Sequence, residues 1–270
     1  MRKTLITLIA AGCAALVGAA ELQRITYTEP EDFRGPKLEK QEDGSLLLRK
    51  GAVRSIKSIA VNPAKRCRLS LEYKLVEGSE PISLVVAVNT LVKGRPIGGM
   101  TVSTVDGTFT ELAEPVVKGA TSFKVKDASK WVKPSAKGRR NLCAVFNAKE
   151  DLSDLPNFFG SGLIESVAPD GVVTLRKGVA LTRDYPAGTK VRQHFDDESF
   201  GIGTLYLRAA PTWKTAAIIV NPPAPGEFIY TKNIWWPKVN AAGVTFQLRG
   251  KIPADGGVFF RNIVLEELAD

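Results

Sequence analysis

Hydrophobic and polar residues alternate with a period of two along most of this chain. Cys67, Leu69, Leu71, Tyr73 and Leu75 are interleaved with Arg68, Ser70, Glu72 and Lys74. Ile82, Leu84, Val86 and Val88 follow the same rule, with Val85 as the exception on the polar side. Val244, Phe246 and Leu248 likewise alternate with Thr245, Gln247 and Arg249. Successive side chains of an extended chain point to opposite faces, so the pattern predicts half-buried β-strands. The last run, Val258 to Leu265, is apolar at most positions, which predicts a strand in the middle of a sheet. Between the runs stand Asp43-Gly44, Lys93-Gly94, Asp106-Gly107, Asp170-Gly171 and Asp255-Gly256, pairs suited to tight turns. No stretch carries a helical stripe, and 24 glycines with 16 prolines would interrupt one too often. Many short strands punctuated in this way predict an all-β sandwich or barrel.

Residues 108–195 have a strand set of their own: Ser122 to Lys126, Leu142 to Asn147, Leu163 to Val167, Val172 to Leu175 and Thr189 to Gln193. A long polar loop, Ala148 to Gly162, lies among them. The flanks, at about 85 and about 75 residues, are too short to make two complete sandwiches. The material fits one discontinuous sandwich, 21–107 with 196–270, interrupted by an inserted small β-module at 108–195. Its first and last strands are then neighbours in space.

The N-terminus reads as an address. Met1-Arg2-Lys3 is basic, Thr4 to Gly18 is apolar, and Ala19-Ala20 supplies the small residues of a cleavage site. This order describes a secretory signal peptide over residues 1–20. Ala10-Ala11-Gly12-Cys13 resembles a lipoprotein site only superficially, since apolar sequence continues past the cysteine. No other segment reaches membrane-spanning length, so a secreted, periplasmic or cell-surface location is expected, without a transmembrane span. Removing residues 1–20 takes away two of the 37 basic residues and none of the 28 acidic ones, leaving a net charge of +7. The basic residues are spread evenly, apart from a short patch at Lys137 to Arg140, and read as a solvated surface. Cys67 and Cys143 are left after cleavage; an oxidising compartment permits a disulfide, while their apolar strand contexts favour buried free thiols.

Three strand motifs open the chain: Asp43-Gly44-Ser45-Leu46-Leu47-Leu48, Ser58-Ile59-Ala60-Val61-Asn62-Pro63 and Cys67-Arg68-Leu69-Ser70-Leu71-Glu72-Tyr73-Lys74. Gly257-Val258-Phe259-Phe260-Arg261-Asn262-Ile263-Val264-Leu265-Glu266-Glu267 closes it. In this order they resemble the jelly-roll, galactose-binding-like fold of secreted carbohydrate-binding modules, over roughly residues 25–107 and 200–268. The resemblance implies a jelly-roll β-sandwich and a polysaccharide or glycan as partner. Such modules can hold a structural calcium through an aspartate of the last strand; here Arg261-Asn262 stands in that place, and no cofactor is expected. Within the insert, Gly119 to Trp131 and Asp184 to Val191 resemble small β-modules of extracellular fibre and surface proteins, which serve architecture or adhesion.

Sugar-binding surfaces use aromatic faces for the apolar C–H patch of a pyranose and amides for its hydroxyls. The candidates are Trp213, Tyr230, Trp235 and Trp236, with Asn233, Asn240 and Gln247 as polar neighbours. Trp235 and Trp236 are adjacent and point to opposite faces of an extended chain, so one belongs to a core. Trp131 reads as a core plug of the insert. His194 with Asp196, Asp197 and Glu198 could ligate a cation, although a lone histidine makes a poor zinc site and a solvated linker is the simpler reading. Glu150, Asp151 and Asp154 offer oxygen ligands for calcium, without EF-hand spacing.

Enzyme signatures are wanting. One histidine removes most triad and metal-hydrolase chemistry, and no nucleophile elbow, phosphate loop or dinucleotide fingerprint occurs. Gly201-Ile202-Gly203 is a fragment of a glycine-rich loop with no helix behind it. Nucleic-acid binding has only net charge in its favour. The expected function is therefore non-catalytic carbohydrate binding. The alternatives are an extracellular structural or adhesion protein contacting cell-surface proteins, and an enzyme or accessory subunit of polysaccharide breakdown.

Overall fold

The computed structural model describes residues 22–77, 79–134, 141–196, 201–224 and 233–269. The proposed signal peptide, the Lys137–Arg140 patch, Asp197, Glu198 and Tyr230 lie outside the described residues.

The first part of the chain lays down β1 (Arg24–Tyr27), β2 (Phe33–Arg34), β3 (Glu39–Lys40), β4 (Leu46–Leu48), β5 (Ala52–Ser55), β6 (Ile59–Ala60), β7 (Cys67–Leu75), β8 (Ser83–Val92) and β9 (Arg95–Pro96). One short helix, α1 (Gly99–Val102), follows. Then come β10 (Thr110–Glu111), β11 (Ser122–Lys124), β12 (Asn141–Phe146), β13 (Gly160–Val167), β14 (Val172–Leu175) and β15 (Lys190–Asp196). The chain ends with β16 (Ile202–Arg208), β17 (Lys214–Val220), β18 (Ala241–Arg249) and β19 (Val258–Glu267).

Two antiparallel sheets pack face to face as a β-sandwich. One runs β17-β7-β19-β4-β3, with β1 also on β19; the other runs β16-β8-β18-β5-β2, with β6 on β18 and β9 on β8. The period-two pattern decides which residues meet between them. Leu69, Leu71, Tyr73 and Leu75 of β7 and Leu84, Val86 and Val88 of β8 turn inward, joined by Val244, Phe246 and Leu248 of β18 and by Val258, Phe260 and Leu265 of β19. Phe246 and Phe260, from opposite sheets, stack with centroids 4.8 Å apart. Each such side chain contributes about 1.5–3 kcal/mol relative to exposure, which makes this layer the main source of stability. As its apolar run predicts, β19 lies inside its sheet, between β7 and β4.

Six strands between the halves of the sandwich make a third sheet, ordered β10-β15-β12-β13-β14-β11. Its two ends meet. Leu112 and Val125 form a bridge, Ala113 N donates to Lys124 O at 2.8 Å, and Lys126 N donates to Glu111 O at 2.8 Å. These contacts close the sheet on itself as a small barrel. It has its own core of Leu112, Phe123, Trp131, Phe146, Ile164, Val173, Tyr185 and Val191, with Phe146 stacked on Tyr185 at 4.0 Å. Trp131 is the plug its sequence context predicts, its Nε1 donating to Thr108 O at 3.0 Å.

The segments leading into and out of the barrel run antiparallel. Thr104 bridges His194, Val105 N donates to Gln193 O, and Phe195 N donates to Ser103 O. Strand β15 thus continues past Gln193 to Asp196. His194 sits in this strand with no exposed surface, which overturns its solvated-linker reading, and protein partners take both its ring nitrogens, which overturns its cation-ligand reading.

Candidate functional site

The aromatic candidates divide between core and surface. Trp235 and Trp236 keep only 1% and 7% of their surface exposed, and Trp235 Nε1 donates to Lys65 O at 2.8 Å. Both belong to the sandwich core, so neither offers a face to a ligand; an apolar ring next to that layer gains more from packing than from water. Trp213 is half-buried on the outer face of the β7–β19 sheet. Its ring is covered by the Arg261 guanidinium, 4.0 Å from the centroid, with Lys74 Nζ at 5.1 Å. Arg261 is in turn held by Glu72 at 2.6 Å. This stacked trio already satisfies the ring.

The polar candidates are dispersed. Asn233 is exposed beside Trp235, and its backbone oxygen accepts from Asn221 N at 2.7 Å. Asn240 is exposed and accepts from Lys93 N at 3.2 Å. Gln247 lies on the outer face of the other sheet, away from Trp213. The described sequence candidates therefore do not converge on one site.

Gln247 instead belongs to a constellation that sequence reasoning missed. Register places outward-facing residues of β16, β8, β18, β5 and β2 in rows. Tyr206, Val85, Gln247 and Ala52 form one row, Arg208, Ser83 and Arg249 the next, and Ala87, Thr245, Arg54 and Arg34 a third. Tyr206 is 65% exposed, the most exposed aromatic among the described residues. Arg249 lies against its ring at 5.6 Å and donates through Nε to Gln247 Oε1 at 3.0 Å. A shallow depression of about 360 Å³ is lined by Ser83, Val85, Tyr206, Leu207, Arg208 and Arg249 among others. Thr245 Oγ1, buried in the third row, has no hydrogen-bond partner among the described residues. Chemically the face offers one aromatic platform, one amide, and guanidinium forks that hydrogen-bond oxygen acceptors.

The polar cluster around His194 is a structural network. Arg192 Nε donates to His194 Nε2 at 3.0 Å, and His194 Nδ1 lies 2.9 Å from Met100 O, so both ring nitrogens are engaged. Burial first, and then the Arg192 charge, push the imidazole down to about 3, which keeps it neutral. Asp154, offered by the sequence as a calcium ligand, accepts from Arg192 at 3.1 Å, Asn157 at 2.8 Å and Lys149 N at 3.1 Å. Asp151 caps Ser153 N at 3.0 Å, and Glu150 is exposed. Asp151 and Asp154 organise the loop, and no group of metal-ligating residues forms among the described residues.

Cys67 and Cys143 form no disulfide; both are buried thiols, Cys67 in the sandwich core and Cys143 on β12 of the barrel. Burial pushes the Cys67 thiol up to about 12, so it is not a nucleophile at neutral pH. No described helix is long and apolar enough to cross a membrane. The fold defines an all-β sandwich protein. No family model, curated protein or solved structure matches the chain.

Proposed function

We propose that this is a secreted, non-catalytic carbohydrate-binding protein on a jelly-roll sandwich, with residues 108–195 as an inserted module, and that the outer face of the β16–β8–β18 sheet holds the glycan. The observation that carries this reading is the exposed Tyr206 ring in one row with Gln247 and against Arg249. A pyranose laid on the ring meets it through axial C–H groups, while the amide and guanidinium reach its hydroxyls. Trp213, Trp235 and Trp236 serve packing in this reading, and Gln247 alone of the described sequence candidates contacts ligand. The test is a glycan array probed with the purified protein and with Tyr206→Ala. The protein is expected to bind a defined subset of glycans and the variant to lose them. Absence of binding to any saccharide would overturn the reading.

A further inference from the structure

The two sheets of the sandwich differ in charge. The strands of the β7–β19 sheet include Glu39, Glu72, Glu266 and Glu267, and their arginines are paired: Arg24 and Arg68 with Glu266, and Arg261 with Glu72. The strands of the opposite sheet hold five arginines, Arg34, Arg54, Arg95, Arg208 and Arg249, and no aspartate, glutamate or lysine. Four of the five point away from the core, because each follows or precedes an inward-facing residue: Phe33, Val53, Leu207 and Leu248. The fifth, Arg95, stacks on Phe158 at 3.8 Å.

A sheet that faced only water would gain from mixed signs, since like charges on adjacent strands repel. Arg34 and Arg54 are direct cross-strand partners, and Arg208 lies two residues beyond Tyr206 on the same face of β16. Residues two apart on a strand lie ~7 Å apart, so the Arg208 guanidinium flanks the Tyr206 ring. Guanidinium forks match planar or tetrahedral oxyanions in a way that neutral hydroxyls do not require. We infer that the glycan is anionic: a polysaccharide bearing carboxylate or sulfate groups, its sugar face on Tyr206 and its charges on Arg208, Arg54 and Arg34. This inference rests on the glycan-binding reading above and specifies its ligand class.

The test compares binding of polygalacturonate, dextran sulfate, neutral dextran and duplex DNA to the purified protein by titration calorimetry. Either anionic polysaccharide is expected to bind at least about tenfold more tightly than neutral dextran, and to weaken as salt rises from about 50 mM to about 200 mM. The tighter of the two identifies carboxylate or sulfate as the group read. Arg208→Gln with Arg34→Gln, both at exposed positions, is expected to weaken that binding by about tenfold with an unchanged melting temperature. Lys214→Gln with Lys177→Gln, which removes the same charge elsewhere, is expected to leave it unchanged. An equal loss in both pairs would mean attraction by net charge only and would overturn the inference. Tyr206-dependent binding of dextran as tight as that of the polyanions would overturn the anionic ligand while leaving glycan binding intact. Tightest binding to DNA, or no binding to any saccharide, would overturn both.

Discussion

Arg192 Nε donates to His194 Nε2 across 3.0 Å, and both side chains are sealed from water. A nitrogen that accepts from a guanidinium holds no proton, so the ring proton resides on Nδ1 and is donated to Met100 O at 2.9 Å. One tautomer therefore ties β15 to α1, the segment leading into the barrel.

This arrangement predicts an acid-sensitive fold. The folded-state pKa of His194 is depressed to about 3 from 6.5, chiefly by burial. The unfolded chain then binds the extra proton between these values, so stability is full above 6.5 and declines as pH falls towards 3. His194 is the chain's one histidine, and other ordinary side chains are silent between about pH 6.5 and 5.5. Urea unfolding in that window should lose up to about 1.4 kcal/mol per pH unit. His194→Gln, which can still accept from Arg192 and donate to Met100, should flatten the slope. An unchanged slope in the variant would refute the assignment.

Much of this fold could be read from alternation, and much of the site could not. The inward residues of β7, β8, β18 and β19 follow from period two, because burial on one face leaves its mark on every second residue. Barrel closure depends on contacts between Ala113 and Lys124, which no local pattern encodes. His194 looked solvated beside its acidic neighbours because charge density is a local property, whereas its burial comes from pairing with Cys143 and Thr104. Trp235 and Trp236 attracted attention as aromatics when their fate was decided by the core beneath them. Tyr206 carried a usable signal: Leu205 and Leu207 flank it, placing the ring on the polar phase of a strand.

A second prediction concerns Asp154. Its carboxylate accepts from Arg192, Asn157 and Lys149 N, and its side chain is 6% exposed. Asp154→Ala removes the carboxylate partner of a buried guanidinium that keeps its bonds to His194 and Lys149 O, which costs about 3–5 kcal/mol. Asp154→Asn keeps the shape and some hydrogen bonds and should cost less. Equilibrium urea unfolding ranks the two; equal losses would show that charge pairing is immaterial here.

At the barrel seam, Glu111 receives Lys126 at 2.7 Å from the β11 side and Lys190 from β15. These two lysines hold its carboxyl down at about 2. Because the folded pKa is lowered from 4.5, the stabilisation is present above pH 4.5 and lost as pH falls towards 2. Glu111→Gln is expected to lower the melting temperature modestly at neutral pH. The difference should shrink in about 1 M salt, since the half-buried group lies at the surface and is screened. A difference independent of both salt and pH would point to packing instead.

Gly203 determines which way Tyr206 faces. Ile202 is buried in the sandwich core and pairs with Val88, whereas Leu205 pairs with Val86, so β16 carries one extra residue between them. Strict alternation from Ile202 would turn Tyr206 inward; the bulge reverses the phase and sends it to the surface. Gly203 makes this possible with φ of +61, and a Cβ there would lie 2.2 Å from Ile218 Cγ2 on β17. Gly203→Ala combines left-handed strain with overpacking and should cost about 2–4 kcal/mol in urea unfolding. Adding Ile218→Ala removes the clashing methyl, so the double variant should lose less than the sum of the single losses. Strict additivity would sink the steric account. Since the bulge also displays the ring, Gly203→Ala is expected to weaken glycan binding under conditions where the variant remains folded, as Tyr206→Ala does without the loss of stability.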